Sequence, residues 1–170
     1  MHINANDRSL KDVKVRYDLQ PGDIGNIVYL HAVVYAKEYG FDNSFEGYVA
    51  AGLAEFAQSF NPNKDRLWIA EIEGKIIGSI GVYGRSESEA QLRWFLVHQR
   101  YRGLGLGKSL FQEALQFCKN CEFKTIFLWT FKGLDAANYL YKSAGFEKTE
   151  EITHEIWGQT LTEERYDLKI

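Results

Sequence analysis

The residues best suited to chemistry stand together in Arg102-Gly103-Leu104-Gly105-Leu106-Gly107-Lys108-Ser109. Three alternating glycines carry the chain from an apolar run, Leu92-Arg93-Trp94-Phe95-Leu96-Val97, into a helical pattern. A turn of this kind leaves main-chain N–H groups free at a helix start, beside the positive end of the helix dipole. Without Cβ atoms in the way, phosphate oxygens can approach those groups closely. The chemistry implied is the seating of a phosphate or diphosphate. A P-loop accounts for Gly107-Lys108-Ser109 but needs its first glycine where Arg102 stands. The dinucleotide fingerprint accepts Gly103 and Gly105 but needs a third glycine where Lys108 stands. A plain strand-to-helix connection does not call for three glycines.

The other reactive side chains are weaker candidates. Cys118-x-x-Cys121 falls at the far end of the helix that follows the glycines, away from the dipole that would lower a thiol pKa. No second ligand pair accompanies it, so no metal site is expected. The pair reads as ordinary thiols of a reducing compartment, the cytoplasm. His31 lies on the apolar side of its helical pattern and reads as a core histidine rather than a catalytic one.

These groups must be held by a packed domain, and the composition supplies one. The chain has 170 residues, 45% hydrophobic and 25% charged, enough for a core without disulfides. Ten Tyr and eleven Phe suffice to line a pocket as well as fill a core. A net charge of −3 without a basic run argues against a nucleic-acid partner. No apolar run is long enough to cross a membrane, and residues 1–12 form a polar lead-in without a signal-peptide core. Residues 13–170 then read as one domain of order β-α-α-β-β-β-α-β-α-β-β. Strands are expected over residues 13–19, 67–73, 76–83, 89–97, 124–130, 146–153 and 163–170, with Trp157-Gly158 in the last connection. Glu73-Gly74 marks a hairpin turn, and Gly78 and Gly81 mark a bulge or a close approach in the third strand. Helices are expected up to Gly40, from a capping box at Asn43-Ser44-Phe45-Glu46 to about Phe60, through residues 106–121, and over residues 134–144.

Arg102-x-x-Gly105-x-Gly107 matches the R/Q-x-x-G-x-G/A loop of the GNAT acetyltransferases at every position. Ala137-x-x-Leu140-Tyr141-x-x-x-Gly145-Phe146 matches a second segment of the same superfamily, in the right order and about thirty residues on. The chain therefore resembles that superfamily. It is most similar to the subset found fused behind MarR-type DNA-binding domains, through Ala90-Gln91-Leu92-Arg93-Trp94, Leu128-Trp129-Thr130 and Trp157-Gly158. Residues before 13 leave no room for such a DNA-binding domain, so transcriptional regulation is not carried over.

The resemblance implies an α/β (α+β) fold: a mixed, mostly antiparallel twisted sheet with a splayed central strand pair and helices on both faces. It implies acetyl-CoA as cosubstrate and no metal. The pantetheine arm would pair with main-chain groups near Leu96 and Val97. The amides of Arg102, Gly103, Leu104, Gly105, Leu106, Gly107 and Lys108 would hold the pyrophosphate, with side-chain help from Lys108 and Ser109. Tyr141 matches the family tyrosine that protonates or hydrogen-bonds the departing sulfur, although its place on an apolar face also suits simple packing. The asparagine many relatives carry seven residues earlier is replaced by Leu134, leaving Asn138 as a candidate coenzyme contact. The base stays open among Glu71, Glu73 and Glu89. Tyr35, Glu38, Tyr39, Phe41, Asp42 and Glu46 form either an acceptor site or an ordinary interhelical corner. Arg93 would orient an acceptor carboxylate or an acidic neighbour.

The activity expected is acetyl transfer from acetyl-CoA to a primary amine of a small molecule or peptide. The alternative is a non-catalytic module that senses CoA or an acyl-CoA. ATP binding through Gly107-Lys108-Ser109 is disfavoured, because no acidic residue ends the strand through Ile126-Phe127-Leu128. Edge pairing at the C-terminal end would make a homodimer.

Overall fold

A computed structural model describes residues 10–170. The expected lead-in over 1–12 falls mostly outside those residues; within it, Leu10 packs against the main core together with Val13. The strands are β1 (Lys14–Arg16), β2 (Arg66–Ile72), β3 (Lys75–Gly84), β4 (Glu89–Val97), β5 (Thr125–Phe131), β6 (Glu147–Ile156) and β7 (Gln159–Lys169). The helices are α1 (Asp23–Tyr39), α2 (Asn43–Gln58), α3 (Leu106–Asn120) and α4 (Asp135–Ser143). One sheet of order β1-β2-β3-β4-β5-β7-β6 joins all the strands. Every pairing is antiparallel except that of β4 with β5. The expected mixed, mostly antiparallel fold is the one observed.

Two cores flank the sheet. Leu106, Leu110, Phe111, Ala114, Phe117 and Cys118 form the buried stripe of α3, packed with Trp68, Ile80 and Ile126. On the other side Ile27, Phe45, Val49, Leu53 and Phe56 of α1 and α2 meet Leu67, Ile69 and Trp94. Helical spacing of apolar residues places each stripe on the face that meets the sheet.

The structure corrects several expected boundaries. β1 is shorter than residues 13–19 because the chain turns immediately toward α1. There Arg16 binds Asp23 at 2.7 Å and Glu71 at 3.1 Å, and Asp23 accepts the Gln20 N–H. The cap of α2 is Asp42 rather than Asn43; its carboxylate accepts the Ser44 N–H, which moves Glu46 out of capping-box register. β6 and β7 are longer than expected, joined only by Trp157 and Gly158. Both residues have positive φ, 53° and 79°, as a tight two-residue hairpin requires. The Glu73-Gly74 hairpin forms as expected, with φ of 49° and 75°.

The feature that positions the site is a β-bulge in β4. Arg93 pairs with Gly81 and Leu96 with Ser79, so Trp94 and Phe95 together face Ile80. Trp94 takes φ 51°, rare for a bulky residue. The Ser79 hydroxyl donates to the Trp94 carbonyl at 2.7 Å and holds the bulge from inside the core. Gly81 makes room, since a Cβ there would lie 2.7 Å from the indole ring. The glycines that read as a bulge signal in β3 thus accommodate a bulge in its partner.

Candidate active site

Strands β4 and β5 pair only from Glu89 opposite Thr125 to Gln91 opposite Phe127. Beyond that point they part. The opened edges, Leu92 to Val97 on one side and Leu128 to Phe131 on the other, line a cavity of about 600 Å³. Its walls are completed by α1, α2, the glycine loop and α4. A site where parallel strands separate is roomy and offers unpaired main-chain groups.

At one end lies the glycine loop. Gly103 and Gly105 have φ of 76° and 89°, and a Cβ on either would meet open space. Gly105 is the N-cap of α3. Ser109 is the first residue whose N–H closes a helical bond, to the Gly105 carbonyl at 3.0 Å. The N–H groups from Gly103 to Lys108 have no main-chain partner among the described residues. A run of free donors at a helix start fits a diphosphate, each contact contributing about 0.3–1 kcal/mol at an exposed site. Arg102, Gly103, Gly105, Gly107 and Lys108 line the cavity, as do Leu96 and Val97. Leu104 and Ser109 do not, and the Leu106 side chain is turned into the core, so Leu104 and Leu106 can contribute only main chain. Arg102 reaches sideways: its Nε–H donates to the Val97 carbonyl at 2.8 Å and its Nη1 to Glu38 at 3.0 Å. It ties the glycine loop to α1.

Midway lies Tyr141, 7% exposed, packed against Phe111, Phe146 and Tyr166 and still on the cavity wall. Burial, then the neighbouring Tyr35, push its phenol above the ordinary tyrosine value, so it keeps its proton at neutral pH. Asn138 stands elsewhere, in a second recess with Lys132, Lys142 and Glu164. Its expected coenzyme contact is therefore not assembled with the rest.

Another stretch of the wall is aromatic. Tyr35, Tyr39, Phe45, Tyr48 and Trp157 line it, with Arg93 and Glu163 and with Glu38, which meets Arg102 of the glycine loop. The Trp157-Gly158 turn docks on the corner between α1 and α2, where the Asp42 N–H donates to the Trp157 carbonyl at 3.1 Å and Gln159 bonds the Tyr39 carbonyl. Of the corner residues read from the sequence, Tyr35, Glu38 and Tyr39 face the cavity. Phe41 fills the aromatic core beneath, and Asp42 is spent as a helix cap. Glu46 does not reach the wall.

His31 also lines the cavity, 3% exposed and stacked on Tyr35. Nδ1 contacts the Ile27 carbonyl at 2.9 Å, which assigns the proton to Nδ1 and leaves Nε2 as an acceptor without a partner. Burial pushes its pKa down to about 4. It is a core histidine in packing, as expected, and its ring forms part of the wall behind the site. The carboxylates weighed as bases are all elsewhere. Glu71 pairs with Arg16, Glu73 forms the hairpin turn, and Glu89 lies 3.6 Å from Arg165. Cys118 is buried, its thiol pushed up to about 12, and Cys121 is free. No cluster fit to hold a metal occurs among the described residues, nor any helix long and apolar enough to cross a membrane.

Comparison with known proteins agrees with this geometry. The chain is 26% identical over 152 residues to the probable N-acetyltransferase camello of Xenopus tropicalis, covering 82% of this chain and 69% of that protein. It is 32% identical over 119 residues to the uncharacterized N-acetyltransferase YjgM of Escherichia coli K12, covering 66% and 70%. It spans only 44% of human N-acetyltransferase 8B, at 31% identity over 99 residues and 55% of this chain. An acetyltransferase from Streptococcus agalactiae superposes with a TM-score of 0.74 at 21% identity, covering 94% of this chain and 99% of that one. A GNAT acetyltransferase from Elizabethkingia anophelis with acetyl-CoA bound superposes at 0.65 and 15% identity, with coverage of 94% and 99%. The family model described as the Acetyltransferase (GNAT) family matches residues 33–146, from the middle of α1 through the Gly145-Phe146 end of the α4 segment. With the split strands, the glycine cradle and the matched span in register, the chain belongs to the GNAT family of acetyltransferases.

Proposed function

We propose that this enzyme transfers the acetyl group of acetyl-CoA directly to a primary amine of a small molecule or peptide. One observation carries the reading. A single cavity is lined at once by the glycine loop with its free N–H groups, by Tyr141 and by the aromatic side chains around Trp157. The glycine cradle suits the diphosphate, and the opened β4 edge suits the pantetheine amides. The aromatic chamber is then left for the acceptor.

In this reading the amine attacks the thioester carbonyl, a C–N bond forms, and the C–S bond breaks. An N–H near Val97 faces the developing oxyanion. Tyr141 donates a hydrogen bond to the departing sulfur. Its raised pKa favours donation without full proton loss, and the thiolate then takes its proton from the amine or solvent. Kinship with the MarR-linked subset rests on the sequence segments alone, of which Gln91 to Trp94, Leu128 to Thr130 and Trp157 line the cavity. Two free cysteines suit a cytoplasmic enzyme.

The test is release of free CoA thiol from acetyl-CoA with a panel of amines. Release that depends on both substrates is expected. Tight binding of acetyl-CoA with no release by any amine would mark a CoA-sensing module instead.

A further inference from the structure

We propose that Arg93 binds a carboxylate of the acceptor, so that the amine acetylated belongs to an amino acid or a close analogue with an aromatic or large aliphatic side chain. The proposal rests on the acetyl-transfer reading and names the substrate class for the same cavity.

Arg93 stands on β4 one residue before the bulged Trp94, and its guanidinium reaches across to α2. It lies against Gly52, where a Cβ would come within 2.8 Å of Nη2. Glycine inside a helix is unfavourable by roughly 1 kcal/mol against alanine, and here it opens the space for a charged head. Tyr48 and Trp94 flank that head, with ring centroids 5.5 and 4.7 Å from Cζ. Arg93 forms no ion pair with any described carboxylate. Glu38 on the same wall is paired with Arg102 at 2.9 Å and Glu163 meets His154 at 2.5 Å, so neither carboxylate is the partner of Arg93.

A half-buried guanidinium is stabilised by a partner that accepts in its own plane, and a carboxylate does so through two parallel bonds. With one arginine and no second cation beside it, the complement is a monoanion rather than a phosphate. Trp94 lines the cavity too, and its buried indole N–H lacks an acceptor. His31 Nε2 and the Thr130 hydroxyl are likewise buried on that wall without partners. The chamber thus offers the Arg93 donors for an anion inside aromatic walls. A carboxylate on an apolar body matches both, and the acetyl-transfer reading supplies the amine.

The experiment pairs each amino acid with its decarboxylated amine: phenylalanine with phenethylamine, and leucine with isoamylamine. Thiol release by the full chain should favour the carboxylated member by about 10–100-fold in kcat/KM. Arg93→Met should bring the ratio near one through KM, with acetyl-CoA affinity unchanged, and Arg93→Lys should restore part of it. Calorimetry with N-acetylphenylalanine supplies a readout without turnover, and its binding should be lost in Arg93→Met. Equal rates within each pair, or product binding indifferent to Arg93, would overturn the proposal. Arg93-dependent product binding with no thiol release from any amine would support the carboxylate site and defeat the transferase reading alone. Absence of both would defeat the two together.

Discussion

The two ends of the cavity are built from different materials. The glycine-loop end offers main chain: free N–H groups from Gly103 to Lys108 and the open edge near Leu96 and Val97. The aromatic end works through side chains brought from α1, α2, β4 and the β6–β7 turn, which are distant in sequence and meet only in the fold. Main-chain recognition fixes which positions must lack a Cβ, and so writes a spaced pattern. Side-chain recognition tolerates many solutions and writes none. The first end is suited to a ligand common to a whole family, the second to a ligand particular to this chain.

Tyr141, between the two ends, gives the sharpest break. Tyr141→Phe keeps the packing against Phe111 and Phe146 and removes only the hydroxyl. Turnover should fall about 10²–10³-fold, the cost of losing one preorganised donor. Acetyl-CoA affinity and product affinity should each stay within about threefold, because neither end has been touched. Steady-state kinetics with calorimetry on the same variant would check this, and unchanged turnover would remove Tyr141 from the chemistry.

His31 tests whether the aromatic end is held together as tightly as the core. Its pKa of about 4 lies below the ordinary value of 6.5. The unfolded chain therefore binds a proton at a higher pH than the folded one. Stability should fall as pH drops from about 6.5 toward 4, by up to roughly 3 kcal/mol from this residue. The Asp23 carboxylate, held low by its hydrogen bond from Arg16, begins to lose its own contribution below about pH 5, so the His31 slope is read between about pH 6.5 and 5. Denaturant unfolding at several pH values should show the slope in the parent chain and a shallower one in His31→Gln. Equal slopes would mean that the imidazole reaches water.

Gly105 tests the main-chain end. At φ 89° a β-branched side chain is strained, and its branch would crowd the free N–H groups. Gly105→Val should weaken acetyl-CoA about 10–100-fold while N-acetylphenylalanine binds as before. A matching loss at both ends would mean that the two are not separable.

What the sequence made legible follows the same division. The glycine loop, the Tyr141 helix and the apolar stripe of α3 were readable because each is local, with all its determinants within one turn or one helix. Gly78 and Gly81 announced a close approach, but not that Trp94 itself would take positive φ, because that depends on Ser79 across the sheet. β6 and β7 were read too short, since exposed Glu, Thr and Lys carry little alternation and the Trp157-Gly158 turn does not look like a two-residue hairpin. Asn138 stands three residues from Tyr141, on a neighbouring part of the same helix face, yet it lines the adjacent recess with Lys132 and Glu164, a distinction set by how α4 sits on β7 and not by spacing. The carboxylates Glu71, Glu73 and Glu89 were on the right sheet but at the wrong places in it, a distinction that register decides. Arg93 was visible as an oddity, a charge in an apolar strand, but its seat on Gly52 joins residues 41 positions apart.

That seat yields the smallest effect and the most specific one. Gly52 lies inside α2, where alanine is favoured over glycine by about 1 kcal/mol. In the parent chain Gly52→Ala should show little of that gain, because the new Cβ would stand 2.8 Å from Arg93 Nη2 and displace the guanidinium. The displaced group is the end of a flexible side chain, so the fold should tolerate it, and the cost should appear as a higher KM for carboxylated acceptors. In the Arg93→Met background the obstacle is removed, and the same substitution should stabilise by the full ~1 kcal/mol. A double-mutant cycle by chemical denaturation would measure the difference as a coupling of about 1 kcal/mol. Additive substitutions would show that the helix glycine and the strand arginine are independent, and that the aromatic end was not shaped around a cation.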